Sequence, residues 1–168
     1  IASGEVTNHP LLNTISSFNK NIYLSTGMST YKEIDNAIKI LKTRKLTLMQ
    51  CTSQYPCPVD KVGLNVLEKF KKYNCYMGFS DHTLGFSGAI SFIANGVSVI
   101  EKHITFSKQM YGSDAKHSME PNEFRNFVKE TNDAFTIYHS LIDKNNIFYL
   151  RSMRKTFQKS IYIKKNIS

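Results

Sequence analysis

The chain has 168 residues, of which 41% are hydrophobic and 12% aromatic, a composition that fits one globular domain and excludes a largely disordered protein. No apolar run approaches the ~20 residues that a membrane-spanning helix needs, and the first residues do not resemble a signal peptide. Three cysteines, Cys51, Cys57 and Cys75, make an odd count without metal-type spacing. We therefore expect reduced thiols and a cytoplasmic protein with no membrane partner.

The formal net charge of +9 is concentrated near the C-terminus. From Lys144 onward there are seven Lys or Arg and no Asp or Glu, which leaves 15 basic against 13 acidic residues elsewhere. A basic segment of this kind binds polyanions such as nucleic acid in some proteins and is a solvated linker in others. The nearly neutral remainder of the chain favours the linker.

Strand-like and helix-like segments alternate along the chain. Residues 1–5, "IASGE", are typical of the end of a strand. Four further segments each combine an apolar run with polar or glycine residues at its end, and they are predicted strands: 21–27, 46–53, 75–83 and 97–104. Helical spacing of apolar residues predicts helices between and after them: 30–43, 64–73, 87–96 and 121–141. The helix at 30–43 opens with the capping-box pattern of Thr30 and Glu33.

This alternation predicts an α/β fold with parallel strands and crossover helices. The polar residues follow the carboxyl ends of the strands, where α/β sheets and (β/α)₈ barrels carry their chemistry. No glycine-rich nucleotide-binding motif is present. Because a full TIM-type barrel takes ~250 residues, four units and a strand remnant predict only the second half of one.

Two histidines follow consecutive predicted strands at matching positions. Because strand side chains alternate in direction, Ser80 and His82 share a side, as do Glu101 and His103. Neighbouring strands lie ~4.8 Å apart, so these imidazoles can hold one metal ion that polarises a carbonyl as a Lewis acid. The residues alone leave open ordinary hydrogen bonds at a barrel rim.

Hydroxyl groups recur at the same strand ends. A ring of hydroxyl and backbone N–H groups suits phosphate oxygens, although turns also use Ser, Thr and Gly, and spacing alone favours turns. Two carboxylates are candidate acid–base groups, with an ordinary surface position as the alternative for each. Glu5 ends the first predicted strand, and Asp114 lies in a long polar loop after His103 that would cover a barrel mouth. The hydroxyl candidates are Ser3, Ser25, Ser53 and Ser80.

Five segments resemble the N-acetylneuraminate (sialic acid) synthase family in their order and spacing: "IASGE", "LSTGMST", "CTSQYPCP", "GFSDHTLG" and "IEKHIT". The resemblance covers essentially the whole chain, and "GFSDHTLG" with "EKH" about 20 residues later is its most specific part. It implies a metal-dependent (β/α)₈ barrel. Residues 1–143 would run from the end of the fourth barrel strand through the eighth strand and helix. Residues 144–168 would be a basic linker and the first strand of a truncated antifreeze-like domain.

The implied reaction condenses phosphoenolpyruvate with an N-acetylmannosamine-type sugar and gives a nonulosonic acid and phosphate. His82 and His103 match two manganese ligands, with magnesium and cobalt as other possible metals. Glu5 matches the carboxylate that handles the attacking water. Tyr55 and Asp114 match contacts on the sugar side.

The serines match phosphoenolpyruvate contacts in the same family. Ser3, Ser25 and Ser80 match positions around its phosphate and carboxylate, whereas Ser53 stands where some members have asparagine. In the implied order of events, the methylene carbon of phosphoenolpyruvate attacks the sugar aldehyde, water steered by Glu5 adds to the phosphate-bearing carbon, and phosphate leaves.

Other readings stay open beside this one. Related synthases of the family make pseudaminic, legionaminic or 9-phosphorylated sialic acids by the same chemistry. The resemblance implies a homodimer for the intact enzyme and no nucleic-acid partner. Since the chain has half of a barrel, we expect it to be weakly active or inactive alone. A non-catalytic remnant and a basic nucleic-acid-binding module are the alternatives of another class.

Overall fold

The structure, a computed structural model, describes residues 1–43 and 45–159. Within these residues four strands form one sheet in the order β1–β2–β3–β4, and each neighbouring pair is parallel. The strands are β1 (Ile22–Ser25), β2 (Leu46–Cys51), β3 (Tyr76–Asp81) and β4 (Val99–Lys102). Each lies inside a predicted segment, so the predicted parallel α/β sheet is confirmed.

Six α-helices belong to the same described residues: α1 (His9–Ser16), α2 (Tyr31–Leu41), α3 (Val66–Phe70), α4 (Ser87–Ile93), α5 (Pro121–His139) and α6 (Arg151–Phe157). Short 3₁₀ turns lie at Ser3–Glu5, Val59–Lys61, Ala115–His117 and Phe148–Leu150. The predicted helices correspond to α2, α3, α4 and α5, and α2 has the predicted capping box. None of the helices in the described ranges is long and apolar enough to cross a membrane.

The prediction of a strand end over residues 1–5 is wrong beyond its first residue. Ile1 does pair with β1 in the parallel manner, since its amino group donates to the Tyr23 carbonyl and its carbonyl accepts from the Ser25 N–H. The chain then turns into the 3₁₀ segment, and the Val6 side chain enters the core with 1% exposure. Burial of Val6 therefore outweighs continued pairing along β1.

Helix α1 was not predicted, although its start carries a local signal. Asn8 Oδ1 accepts a hydrogen bond from the Leu11 N–H, and Pro10 occupies the first turn. Asparagine is a favoured N-cap, and proline fits the first turn because its missing N–H would have no partner there. Only Leu12 of this helix is fully buried, so its apolar pattern is too sparse for periodicity to find.

The two faces of the sheet differ in what they contact. Leu24, Leu48 and Phe79 alternate onto one face and join the main hydrophobic core, together with Ala37 of α2 and Leu67 of α3. The helices therefore cover this face. We call the opposite face of the sheet the inner face.

The inner face becomes polar at the carboxyl ends of the strands. Cys51, Ser80 and Glu101 lie side by side there in the strand register. The sheet thus brings the polar ends of neighbouring strands to one edge, as parallel topology requires.

The basic segment begins with two short helical stretches, Phe148–Leu150 and α6. The residues of α6 are all exposed. The strand predicted from "SIYIKKNIS" falls on residues 160–168, which lie outside the described residues.

Candidate functional site

His82 and His103 lie together at the carboxyl edge of the sheet. His82 directly follows β3 and His103 directly follows β4, and the strand register ends with Asp81 opposite Lys102. The ring centroids are 5.2 Å apart, and the ring planes cross at 82°. The predicted convergence of these two side chains is therefore present in the fold.

Among the residues that the structure describes, the hydrogen bonds of the His82 ring involve Nδ1 and leave Nε2 without a partner. Its Nδ1 is 2.9 Å from the Thr52 carbonyl oxygen. Because a carbonyl oxygen only accepts, Nδ1 must carry the hydrogen, and in the neutral ring Nε2 then keeps its lone pair. Burial lowers the pKa of His82 below its ordinary 6.5. The Thr52 carbonyl partly offsets this decrease, and His103 reinforces it. The neutral ring, the form that binds metals, is thus favoured.

His103 is held mainly through its backbone. Its carbonyl accepts from the Met119 N–H at 3.0 Å, next to a parallel bridge between Ile104 and Met119. Its Nδ1 lies 3.7 Å from Asp114 Oδ2, a separation too long for a hydrogen bond. The long loop after β4 therefore returns Asp114 to His103.

Tyr55 covers both histidines from the loop after β2. Its ring centroid is 4.1 Å from that of His82 and 5.5 Å from that of His103. Burial raises the pKa of Tyr55, so its phenol stays protonated and can donate a hydrogen bond. The side chain remains partly exposed, which leaves it accessible to a ligand over the histidines.

The predicted hydroxyl groups form two contacts rather than one ring. Ser3 Oγ and Ser53 Oγ are 3.1 Å apart, and Ser80 Oγ donates to Glu101 Oε1 at 2.7 Å. Ser25 is buried at the end of β1, where its backbone N–H bonds to Ile1. All four serines lie at the carboxyl ends of the strands or in the adjoining loops, as predicted.

Glu5 lies in the 3₁₀ turn that follows Ile1. Its Oε2 accepts a hydrogen bond from Asn8 Nδ2 at 2.6 Å. Since Asn8 also caps α1, the carboxylate is tied to the start of that helix. The role of Glu5 toward a water molecule stays a prediction.

Two residues of this edge carry no role in the sequence-based prediction. Glu101 accepts a hydrogen bond from the Ser80 hydroxyl. Its position two residues before His103 places both side chains on the same face of β4, and this spacing could have indicated that Glu101 belongs to the site. Cys51 lies in register with Ser80, with its Sγ 3.7 Å from His82 Nδ1. Burial raises the pKa of the Cys51 thiol to about 11, so it is protonated at neutral pH and a poor metal ligand.

The separation of the two histidine rings can be compared with the separation that a shared metal ion would require. A metal that binds each ring nitrogen at about 2.1 Å lies ~3.2 Å from each centroid, which places two rings ~4.5–5.3 Å apart at ordinary coordination angles. The observed 5.2 Å falls in this range. Across residues 1–43 and 45–159, no three His, Cys, Asp or Glu side chains are arranged to hold a metal. This part of the chain therefore brings two imidazoles together without a third side chain of these types arranged to hold a metal with them.

Comparison with known proteins gives a consistent family. The model of the NeuB family matches residues 1–143. An N,N'-diacetyllegionaminic acid synthase from Campylobacter jejuni is 42% identical over 131 residues, covering 74% of this chain and 39% of that protein. The human N-acetylneuraminate-9-phosphate synthase is 30% identical over 133 residues, covering 77% of this chain and 37% of that protein.

A solved structure agrees with these sequence matches. An N-acetylneuraminic acid synthetase from Leptospira borgpetersenii, crystallised with citrate, superimposes with a TM-score of 0.79 and 28% identity over 95% of this chain and 58% of that one. The four strands and their helices are thus half of a (β/α)₈ barrel, as predicted. The chain spans about two fifths of the length of the first two relatives, 39% and 37%.

Proposed function

Because this chain belongs to the NeuB family, we propose that it supplies the second half of the active-site barrel of a nonulosonic acid synthase. The proposed reaction condenses phosphoenolpyruvate with an N-acetylmannosamine-type sugar and releases phosphate. The observation that carries the proposal is the pair His82 and His103, with ring centroids 5.2 Å apart beside Tyr55. The synthases among the relatives support the same class of reaction.

The two histidines would hold a divalent metal, with manganese as the first candidate and magnesium or cobalt as alternatives. When bound, such an ion acts as a Lewis acid toward the aldehyde oxygen of the open-chain sugar. His82 suits this role because its Nδ1 is engaged by Thr52 and its ring is favoured as neutral. Tyr55 and Asp114 would orient the sugar from the two loops that reach the histidines.

The serines would bind phosphoenolpyruvate through its phosphate and carboxylate oxygens. Ser3 and Ser53, whose hydroxyl groups already touch, can turn their hydrogens toward a phosphate. Ser80 donates to Glu101 without the ligand, so binding would exchange this hydrogen bond for one to the substrate. Ser25 completes the proposed set at the end of β1.

In the proposed step, the C=C π pair of phosphoenolpyruvate forms a bond from its methylene carbon to the aldehyde carbon of the sugar. The C=O π pair moves onto the aldehyde oxygen, which takes up a proton and becomes a hydroxyl. Glu5 would take a proton from a water molecule as the water oxygen bonds to the phosphate-bearing carbon. The bond between that carbon and the phosphate oxygen then breaks, and phosphate leaves with the electron pair, while the newly added hydroxyl loses its proton and forms the keto group. The products are the nonulosonic acid and inorganic phosphate.

A chimaera tests this proposal in a complete barrel. Residues 1–143 of this chain replace the matching segment of the Campylobacter jejuni synthase, and phosphate release is measured with Mn²⁺ present. The His82→Ala variant should lower kcat/KM by about a hundredfold or more, because a proposed metal ligand is lost. Chelation should abolish activity, and added Mn²⁺ should restore it.

The matched control is His139→Ala, which makes the same substitution at an exposed position of α5. It should leave kcat/KM and the Mn²⁺ requirement unchanged. Full activity of the His82→Ala chimaera would contradict the metal assignment. An inactive chimaera that is folded and binds Mn²⁺ would contradict the proposed reaction.

One observation bears on which sugar is used. The identity to the legionaminic acid synthase is 42%, against 30% to the human 9-phosphate synthase. We therefore propose the sugar precursor of legionaminic acid as the first substrate to assay, alongside N-acetylmannosamine. A kcat/KM that is higher for N-acetylmannosamine would favour a sialic acid synthase instead.

A further inference from the structure

A buried ion pair lies directly behind the two histidines. Lys102 Nζ is 3.1 Å from Asp81 Oδ2, and the exposures of the two side chains are 3% and 0%. Asp81 Oδ2 accepts no hydrogen bond within the described residues, so its contact with Lys102 is that of an ion pair. The ammonium also lies 5.9 Å from the ring centroid of Phe127 in α5, which closes the pair off from water.

The ammonium of Lys102 contacts the chain on both sides of His82. It pairs with Asp81, the residue before His82, and donates a hydrogen bond to the carbonyl of Thr83, the residue after it. Asp81 Oδ1 accepts from the Thr83 N–H at 2.8 Å. The backbone that carries His82 is therefore fixed to β4 by one side chain, and the next residue of that strand end is His103.

The ion pair and the two histidines lie on opposite faces of the sheet because successive side chains of a strand alternate in direction. Asp81 and Lys102 are paired in the register of β3 and β4, and they project on the helix-covered side. His82 and His103 are each the next residue and project on the inner side. A change in the separation or twist of the two strand ends would therefore move both imidazoles.

We propose that Asp81 and Lys102 position the two histidines, an inference that rests on the proposed function. Their ion pair fixes the ends of β3 and β4 relative to each other, so that His82 and His103 face one metal ion. Net stability is a poor explanation of the pair, because desolvation offsets most of the attraction between buried charges and apolar replacements are often equally stable. The specific geometry that such a pair imposes is the property that a two-histidine site requires.

Metal binding by the full 168-residue chain, without a histidine tag, tests this inference. Co²⁺ is titrated against the visible absorption of the bound ion, which reports its coordination geometry. The test variant is Asp81→Asn/Lys102→Met, which removes both charges and keeps an oxygen that can accept from the Thr83 N–H. Single substitutions would leave a buried charge without its partner and unfold the chain for that reason alone.

The matched control is Asp35→Asn/Lys72→Met, which removes the 3.2 Å ion pair between Lys72 and Asp35 at an exposed site. The test variant should bind Co²⁺ about tenfold more weakly than the unmodified chain, with an altered spectrum, while urea unfolding remains cooperative. The control should keep the original affinity and spectrum.

The possible failures are distinguishable. If the unmodified chain shows no Co²⁺ binding that depends on His82, the metal site and the positioning role are both wrong. If it binds Co²⁺ and the test variant has the same affinity and spectrum, only the positioning role is wrong. A test variant that no longer folds would show that the pair supports the fold itself, and this also overturns the positioning role.

Discussion

Gly27 determines how closely the loop after β1 can approach the loop after β2. A Cβ at this position would lie 2.4 Å from Ser53 Oγ and 2.9 Å from Cys51 Sγ. Both distances are shorter than any ordinary contact, so a larger residue would displace Ser53. Since Ser53 touches Ser3, the absence of a side chain at residue 27 permits the hydroxyl pair to which we assign phosphate binding.

The Gly27→Ala chimaera should therefore bind phosphoenolpyruvate less well. Loss of one positioned hydrogen bond costs about 1–1.5 kcal/mol, which corresponds to a rise in the KM for phosphoenolpyruvate of about tenfold. Initial rates at varied phosphoenolpyruvate and fixed sugar measure this change. Gly4→Ala is the control, because a Cβ there meets only Met28 Cε at 3.5 Å. An unchanged KM for Gly27→Ala would remove Ser53 from the phosphate site.

At the scale of elements, α2 shows how local chemistry sets a helix boundary. The Thr30 hydroxyl accepts from the Glu33 N–H, and Glu33 Oε2 accepts from the Thr30 N–H and hydroxyl. The helix then places Ile34, Ala37 and Leu41 in the core. The capping box therefore determines where α2 begins, and the three buried side chains determine how the helix packs against the core.

Thr30→Ala should lower the free energy of unfolding by about 1 kcal/mol, because it removes the N-cap hydroxyl. Urea denaturation measures the change, with Lys32→Ala at an exposed position of the same helix as the control. A loss no larger than that of the control would show that the capping box contributes little to the fold.

The capping contribution should also depend on pH. Hydrogen bonds from the Thr30 backbone and side chain lower the pKa of Glu33 below its ordinary 4.5. A carboxylate whose pKa is lower in the folded state contributes stability above its unfolded pKa and loses it as the pH falls through the folded value. Glu33→Gln should therefore cost more stability at pH 7 than at pH 3.

At the scale of the whole molecule, part of the inner face of the sheet is exposed, although β2 is buried along its whole length. Tyr23 and Tyr76, whose positions belong to this face, are 43% and 66% exposed, and Phe106 beyond β4 is 87% exposed. Within the described residues, β4 has a free outer edge, and the outer edge of β1 is paired with the single residue Ile1. Open edges and exposed aromatic side chains favour association with other chains.

We predict that the 168-residue chain alone has little condensation activity and elutes from size-exclusion chromatography as an oligomer. Half of a barrel supplies only half of the strand ends that would surround the substrates. Light scattering gives the mass, and phosphate release gives the activity. A monodisperse monomer with turnover comparable to that of the chimaera would contradict both expectations.

The sequence alone was sufficient for the features that follow from short periods. Because successive side chains of a strand point to opposite faces of the sheet, the sequence placed His82 and His103 on the same face. The alternation of strands and helices along the chain predicted parallel pairing of the strands. Backbone geometry within a few residues determines both features, so tertiary packing does not change them. The capping box of α2 was predictable for the same reason.

Long-range packing decided the rest. No sequence pattern predicted that Ser3 would touch Ser53 or that Lys102 would contact the chain on both sides of His82. These contacts join residues that are distant along the chain or that lie on different strands, and the burial of groups such as Val6 and Phe127 sets them. Periodicity therefore determined which side chains face the site. Tertiary structure decided which of them meet, because burial in the core acts on the whole chain at once.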